Sequence, residues 1–167
     1  MAYLNKEQYA YRRESAAERN ISNMDKAMSA GMDEEQAEQI YELCSMRHDF
    51  HCNICRIAKD SECELNIVDR LAELLESIID NFGGIRTDDL CKAISLIEDT
   101  DYMNLIEEYA DDVPDHDNKE TYASWYDRNL HAAMDNLERA NTCIERFLRL
   151  VDKAYGTKFC PTGALRV

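Results

Sequence analysis

Apolar residues recur at the spacing of an α-helix along most of the chain. The most regular pattern covers residues 119–155, where apolar side chains keep a helical period over about ten turns. Residues 63–82 repeat this spacing and are followed by Gly83 and Gly84, which are typical of a helix end. The two patterns predict a core helix and a long C-terminal helix on which the fold is built. The apolar positions of the 63–82 segment are Leu65, Val68, Leu71, Leu75, Ile78, Ile79 and Phe82.

Cap residues indicate two helices in the N-terminal part of the chain. Residues 6–28 carry a rough apolar stripe and precede Gly31. Asp33 and Gln36 have the spacing of a capping box, which predicts a second helix that continues to about Lys59. The apolar stripe of the first helix consists of Tyr9, Ala16, Ile21, Met24 and Met28.

These elements predict an all-α fold, a single-domain bundle of five or six helices built on the long C-terminal helix and packed against the second and third. Residues 1–60 hold the N-terminal helices, 61–117 a helical and acidic middle in which Thr87 and Thr100 open short helices, and 118–167 the long helix and the C-terminal tail. With 167 residues, the chain is long enough to bury one sizeable core.

The composition narrows the cellular setting. No apolar run approaches the ~20 residues of a membrane span, and residues 1–20 are polar and charged rather than signal-like. Seven cysteines, an odd number spread through helical patterns, fit reduced thiols better than a disulfide framework. We therefore expect a cytosolic protein with no membrane partner.

The chain is strongly acidic, with 34 acidic against 19 basic residues and a formal charge of −15. This excess argues against a general nucleic-acid coat or an anionic-membrane binder and favours a partner with a basic surface. Residues 98–117 contain nine carboxylates and neither Lys nor Arg. Such a run is either a solvated surface or an imitation of a phosphate backbone. The candidate acidic surface consists of Glu107, Glu108, Asp111 and Asp112.

A stripe of titratable residues lies in the second predicted helix. Cys44, His48, His51 and Cys55 stand at i, i+4, i+7 and i+11, which places them on one side of the helix. An apolar stripe runs beside it. Three interpretations compete: a metal site, an acid–base site, and a helix–helix seam with no chemistry. The residues of the apolar stripe are Ile40, Leu43, Phe50, Ile54 and Ile57.

The metal interpretation rests on Cys52 and Cys55, which form a C-x-x-C pair. His48, His51, Cys63 and Cys160 are further possible zinc ligands. One straight helix cannot close four of them around an ion, because i to i+11 spans ~16 Å and zinc–ligand bonds are only ~2 Å long. No second C-x-x-C or H-x3-H pair is present, and a zinc-stabilised helical adaptor remains an alternative.

The acid–base interpretation needs no metal. Imidazoles one turn apart, such as those of His48 and His51, can act as base and acid in moving an RNA 2′-hydroxyl onto the adjacent phosphate. Arg47 could stabilise the charge on the phosphorane, and Phe50 could stack a base. This interpretation predicts a metal-independent endoribonuclease without a cofactor.

The N-terminal helix holds the one cluster that is both basic and aromatic. Tyr9, Arg12 and Arg13 lie within five positions of one another. They form either a solvated face or a contact with a phosphate chain.

Two blocks of the chain resemble a known family. Residues 42–53, ELCSMRHDFHCN, resemble the L-C-x-x-R-H-x-F-H-x-N block of the phage-encoded anti-CRISPR family that inactivates type V-A effectors by cutting their guide RNA. Residues 156–163, GTKFCPTG, are similar to that family's G-T-x-[YF]-C-P-T-G ending. Residues 6–10 match its K-E-x-Y-A start, and parts of 120–152 resemble its last long helix. The resemblance covers the first and last thirds of the chain in the same order.

The resemblance implies an inhibitor that docks on a guide-loaded effector where the effector reads its short DNA motif, and then cleaves the guide. Arg47, His48 and His51 become the candidate catalytic residues, and Phe50 and Asn53 join the basic cluster of the N-terminal helix as candidate RNA or effector contacts. The implied partner is a CRISPR effector with its guide RNA, of type V-A, in the host bacterial cytoplasm. A non-catalytic acidic DNA mimic is the alternative.

The chain departs from the family's pattern in two places. Asp49 stands where the family has Lys, and residues 63–111 do not match. The first departure removes a positive charge from beside the proposed scissile phosphate.

Overall fold

The computed structural model describes the backbone of residues 6–60, 65–100 and 117–160. Within these ranges it contains five α-helices and no strand, which confirms the all-α prediction. The helices are α1 (Lys6–Ser29), α2 (Glu34–Asp60), α3 (Leu65–Asn81), α4 (Asp88–Glu98) and α5 (Lys119–Tyr155). The described side chains are those of Glu7, Tyr11, 14–47, 68–100, 117–121, 123–125, Asp127, Arg128 and 131–160.

Local hydrogen bonds set the turn between α1 and α2. Gly31 has a φ of 107°, and its N–H donates to the Met28 carbonyl at 3.1 Å. The Met32 N–H donates to the Ala27 carbonyl at 3.0 Å, which completes a Schellman motif. Because Gly lacks a Cβ, it adopts this left-handed conformation without steric cost. The chain is thereby reversed into α2.

The predicted capping box at the start of α2 is confirmed. The Gln36 N–H donates to Asp33 Oδ1 at 2.8 Å, and the Asp33 N–H donates to Gln36 Oε1 at 3.2 Å. Gln36 Nε2 also donates to the Asn81 carbonyl at 2.8 Å. The same side chain therefore begins α2 and ties it to the end of α3.

The apolar core draws residues from all five helices and from the tail. α5 makes its most extensive contact with α4 and a smaller one with α2, while α3 packs against α2 and α4. The predicted packing of α5 against the second helix is confirmed, whereas that against the third is replaced by packing on α4. α4 takes the larger share because Leu90, Ala93 and Ile97 give it a continuous buried stripe. The largest fully buried side chains are Phe147, Ile40, Leu43, Leu71, Leu75, Ile78, Leu90, Leu137, Ile144, Leu148 and Val151.

The apolar stripe predicted for α1 is confirmed only in part, because Met24 packs against the core while two other members are exposed. Ile21 is 53% exposed and Met28 is 36% exposed, while Asn20 and Asn23 are buried. Asn23 has a partner in the tail, since its Oδ1 accepts a hydrogen bond from the Lys158 N–H. The apolar period of α1 alone therefore does not mark the side of this helix that is buried. No helix within the described ranges is long and apolar enough to cross a membrane.

Candidate functional site

Arg47 joins α2 to α5 inside the protein. The residue is only 8% exposed, and its Nε donates to Asn141 Oδ1 at 2.7 Å. Its Nη2 forms an ion pair with Glu145 Oε1. Asn141 and Glu145 are one turn apart on α5, so both acceptors face the same guanidinium. The positive charge of Arg47 is therefore compensated where it is buried, as the cost of removing a charge from water requires.

Asp152 holds the turn that follows α5. Its Oδ1 accepts hydrogen bonds from Thr157 Oγ1 at 2.7 Å and from the Phe159 N–H at 2.8 Å. Its Oδ2 accepts one from the Cys160 N–H at 2.9 Å. Hydrogen bonds to an ionised carboxylate are stronger than those between neutral groups. A single side chain thus holds Thr157, Phe159 and Cys160, and we call residues 157–160 the tail turn.

Asn23 attaches the tail turn to α1. Its Oδ1 accepts a hydrogen bond from the Lys158 N–H at 2.9 Å, and its Nδ2 donates to the Arg19 carbonyl at 3.0 Å. The N–H groups of Lys158, Phe159 and Cys160 therefore all go to side chains of α1 and α5. We call the group of Asn23, Arg47, Asn141, Glu145 and Asp152 the polar seam.

Cys44 lies where the polar seam meets the tail turn. Burial raises the pKa of its thiol to about 12, and Asp152 and Cys160 act in the same direction. Arg47 opposes this shift by favouring the thiolate. A thiol with such a pKa is protonated at neutral pH and is a poor nucleophile. Cys44 is therefore a packing group at the edge of the core.

Described residues of both sequence blocks are bonded to α5, Arg47 to Asn141 and Glu145 and Cys160 to Asp152. Cys44 and Arg47 belong to the 42–53 block, and Cys160 belongs to the 156–163 block. Asp152, which holds the second block, acts electrostatically on the thiol of the first. Side chains far apart in sequence thus share one interior region.

Most of the candidate site residues lie outside the described side chains. α2 continues without a break to Asp60, so positions 48, 50, 51 and 53 are helical and follow Arg47 on the same helix. The side chains of His48, Phe50, His51 and Asn53 lie outside the described residues, as do those of Tyr9, Arg12 and Arg13 on α1. The candidate acidic residues Glu107, Glu108, Asp111 and Asp112 also lie outside them.

The metal interpretation stays open for the same reason. Cys52, Cys55 and Cys63 lie outside the described side chains, whereas Cys160 is described and buried. Among the described side chains, no three His, Cys, Asp or Glu residues are grouped as a metal site would require.

Four members of the polar seam were missed by the candidate list drawn from the sequence. They are Asn23, Asn141, Glu145 and Asp152. Three of them, Asn141, Glu145 and Asp152, share one side of α5 with the buried Leu148 at i, i+4, i+7 and i+11. These polar residues lie on the same side of α5 as a buried apolar residue, and this position in the sequence pattern could have identified them as interior polar groups.

A second, acidic feature lies between α3 and α4. Asp69, Glu73 and Glu76 of α3 and Glu98 of α4 line an open groove of about 460 Å³. All four residues are exposed, and the apolar side chains of the groove are Val68, Ala72 and Ile97. The described residues therefore include an acidic surface that was not among the candidates.

Comparisons with known proteins leave the family open. No protein-family model matches the chain, and no similar protein was found among curated proteins or solved structures. Functional inference consequently rests on the two sequence blocks and on the geometry that joins them.

Proposed function

We propose that this protein is an anti-CRISPR inhibitor that binds a guide-RNA-loaded effector of type V-A and inactivates it by cleaving the guide RNA. The observation that supports the proposal is that α5 holds a residue of each sequence block. Arg47 of the first block bonds to Asn141 and Glu145, and the Cys160 N–H of the second donates to Asp152, seven residues after Glu145 on the same helix. Rare residue patterns that converge in space are expected when both serve one site.

The proposed reaction is an internal transesterification of RNA. One imidazole of the His48 and His51 pair removes the proton of a ribose 2′-hydroxyl, and the oxygen attacks the adjacent phosphorus. The bond from phosphorus to the 5′-oxygen breaks, and the other imidazole, in its protonated form, donates a proton to that leaving oxygen. The products are a 2′,3′-cyclic phosphate and a 5′-hydroxyl end. The two positions are one helical turn apart, about 5 Å along the axis of α2.

In the proposed complex, negative charge on this protein attracts the basic surface of the effector. An effector that reads DNA through phosphates presents Lys and Arg, and a protein with a formal charge of −15 is attracted to them. Glu107, Glu108, Asp111 and Asp112 form the proposed acidic contact, while Tyr9, Arg12, Arg13, Phe50 and Asn53 are the proposed contacts to the guide.

The direct test is incubation with guide-loaded effector followed by a denaturing gel of the RNA. We expect cut guide with the wild-type protein and intact guide with His48→Ala or His51→Ala, while both variants still bind the effector. Glu38→Ala, an exposed change on the same helix, is the matched control and should cut normally. An intact guide in the presence of excess wild-type protein would end the nuclease proposal.

A second candidate function is favoured by the acidic groove. Asp69, Glu73, Glu76 and Glu98 could meet the effector's basic residues without any cleavage. This DNA-mimic inhibitor would leave the guide whole while preventing target DNA from binding. It would need about one copy per effector, whereas an enzyme acts on more than its own number of guides. Measuring both guide integrity and DNA binding over a range of protein doses separates the two functions.

A further inference from the structure

We propose that Arg47 is a positioning residue, which orients α2 against α5 so that positions 48 and 51 face the guide correctly. The inference rests on the proposed function and assigns Arg47 a role other than direct stabilisation of the phosphorane. Under this inference Glu145 and Asn141, which bond to Arg47, are positioning residues as well.

Burial and charge argue against a direct contact with phosphate. The Arg47 side chain is 10% exposed, and its guanidinium is paired with Glu145 and bonded to Asn141. To bind a phosphate, the guanidinium would have to leave both partners and expose Glu145 as an uncompensated, largely buried carboxylate. A guanidinium that already has a carboxylate partner also adds little net positive charge to a neighbouring site.

The geometry of α2 explains how Arg47 acts on the histidine positions. Positions 48 and 51 lie about 100° and 40° around the helix axis from position 47, since each residue of an α-helix turns about 100°. A rotation of α2 by about 20° would move side-chain ends, which lie roughly 5 Å from the axis, by roughly 2 Å. A displacement near 1 Å can reduce catalysis about 100-fold. Fixing the rotation of α2 is therefore a catalytic requirement.

The polar bonds of Arg47 are well placed to fix this rotation. α2 packs more extensively on α3 and α1 than on α5, and apolar contacts tolerate sliding and rotation better than hydrogen bonds do. The bonds to Asn141 and Glu145 fix both the rotation of α2 about its own axis and its axial position against α5. Buried polar networks of this kind specify one arrangement among several similar ones.

The test compares Arg47→Ala, Glu145→Gln and the double variant by their rates of guide cleavage on loaded effector. If Arg47 positions α2, both single variants should lose about 10–100-fold in kcat with little change in KM, and the double variant should lose no more than the worse single one. The pH dependence of the remaining activity should keep its shape, because the acid and base are unchanged. Glu138→Gln, exposed on the same helix, should cut as the wild type does.

A direct contact between Arg47 and phosphate predicts the opposite pattern. Glu145→Gln would then free the guanidinium and retain or increase activity, while only Arg47→Ala would lose it. That result would overturn the positioning role. Asn141→Ala removes one hydrogen bond and keeps the ion pair, so a several-fold loss from this milder variant supports the inference if Arg47→Ala fails to fold.

The failure of the proposed function is distinguishable from the failure of this inference. If wild-type protein does not cut the guide, the proposed function fails. The positioning role is then tested by NMR, by comparing the chemical shifts of the His48 and His51 imidazoles in Glu145→Gln with those in the control Glu138→Gln. Shifts confined to Glu145→Gln support the orienting role, and unchanged resonances overturn it.

Discussion

The interface of α3, α4 and α5 and the polar seam hold the bundle together in different ways. The first is built from Leu, Ile and Phe side chains, among them Phe82 and Phe147, whose rings meet edge to face with centroids 5.9 Å apart. The second joins α1, α2, α5 and the tail turn through directional bonds to Arg47, Asp152 and their partners. Apolar burial supplies most of the stability, whereas hydrogen bonds contribute little net energy but define geometry. Arg47 and Cys160, described residues of the two sequence blocks that suggest a function, lie in the second region.

The largest effect on stability should come from the apolar region. Leu71→Ala removes a fully buried side chain of α3 and should lower the free energy of unfolding by about 2–5 kcal/mol. Urea denaturation followed by circular dichroism measures this change. Arg70→Ala, the exposed neighbour on the same helix, should change it by less than about 0.5 kcal/mol. Equal effects from both variants would contradict the placement of α3 in the core.

Within the polar seam, Asp152 should matter most for stability. Asp152→Ala leaves three donors of the tail turn without their acceptor and should cost about 2–3 kcal/mol. Asp135→Ala, an exposed change on the same helix, is the control. We also expect Cys160 to become reactive toward a thiol reagent in Asp152→Ala, because the tail turn loses its hydrogen bonds to Asp152. A Cys160 that stays protected would mean that apolar packing alone keeps the tail in place.

The Cys44 thiol makes the stability of the protein depend on pH in the alkaline range. Its pKa of about 12 in the folded protein is above that of a free thiol, so the folded state holds this proton more tightly than the unfolded chain does. The resulting stability is complete below about pH 9 and is lost as the pH rises from there toward 12. Between pH 8 and pH 10, the wild type should lose about 1–2 kcal/mol more than Cys44→Ala does. Parallel losses in paired denaturation curves would show that the thiol ionises freely.

The end of α5 offers the smallest of these effects. Gly156 has a φ of 68°, and a Cβ added there would meet no atom within 4 Å. Gly156→Ala should therefore cost about 1 kcal/mol through backbone conformation alone. Gly84→Ala, where a Cβ is equally free of contacts, should be near neutral in the same thermal denaturation experiment. A neutral Gly156→Ala would mean that the tail turn does not depend on the left-handed cap.

Local signals in the sequence were sufficient to predict the helices. The period of 119–155 gave the bounds of α5 as they are found, and Asp33 with Gln36 marked the start of α2. Periodicity and caps act between residues a few positions apart, so they can be recognised in a single chain. α1 was also predicted, but its buried side was predicted only in part, because the partner of Asn23 lies in the tail turn, at the other end of the sequence.

The pairing within the candidate site could not be predicted in the same way. Arg47 was a candidate because of its place beside His48, but its partners Asn141 and Glu145 are 94 and 98 residues away. A helical period predicts which side of a helix is buried, but it does not predict which polar residue of one helix contacts which polar residue of another. The resemblance of the two blocks assigned roles to individual residues, and the structure adds the contacts that link Arg47 of α2 to α5.

The central claim is that this bundle holds a histidine pair in position to cut guide RNA. Mass spectrometry of the guide recovered from loaded effector, incubated in EDTA with wild-type protein or with His48→Ala, tests it most directly. Wild-type protein should yield fragments with a 2′,3′-cyclic phosphate and a 5′-hydroxyl, and His48→Ala should leave the guide whole. An intact guide with the wild type, or the same fragments with His48→Ala, would contradict the claim.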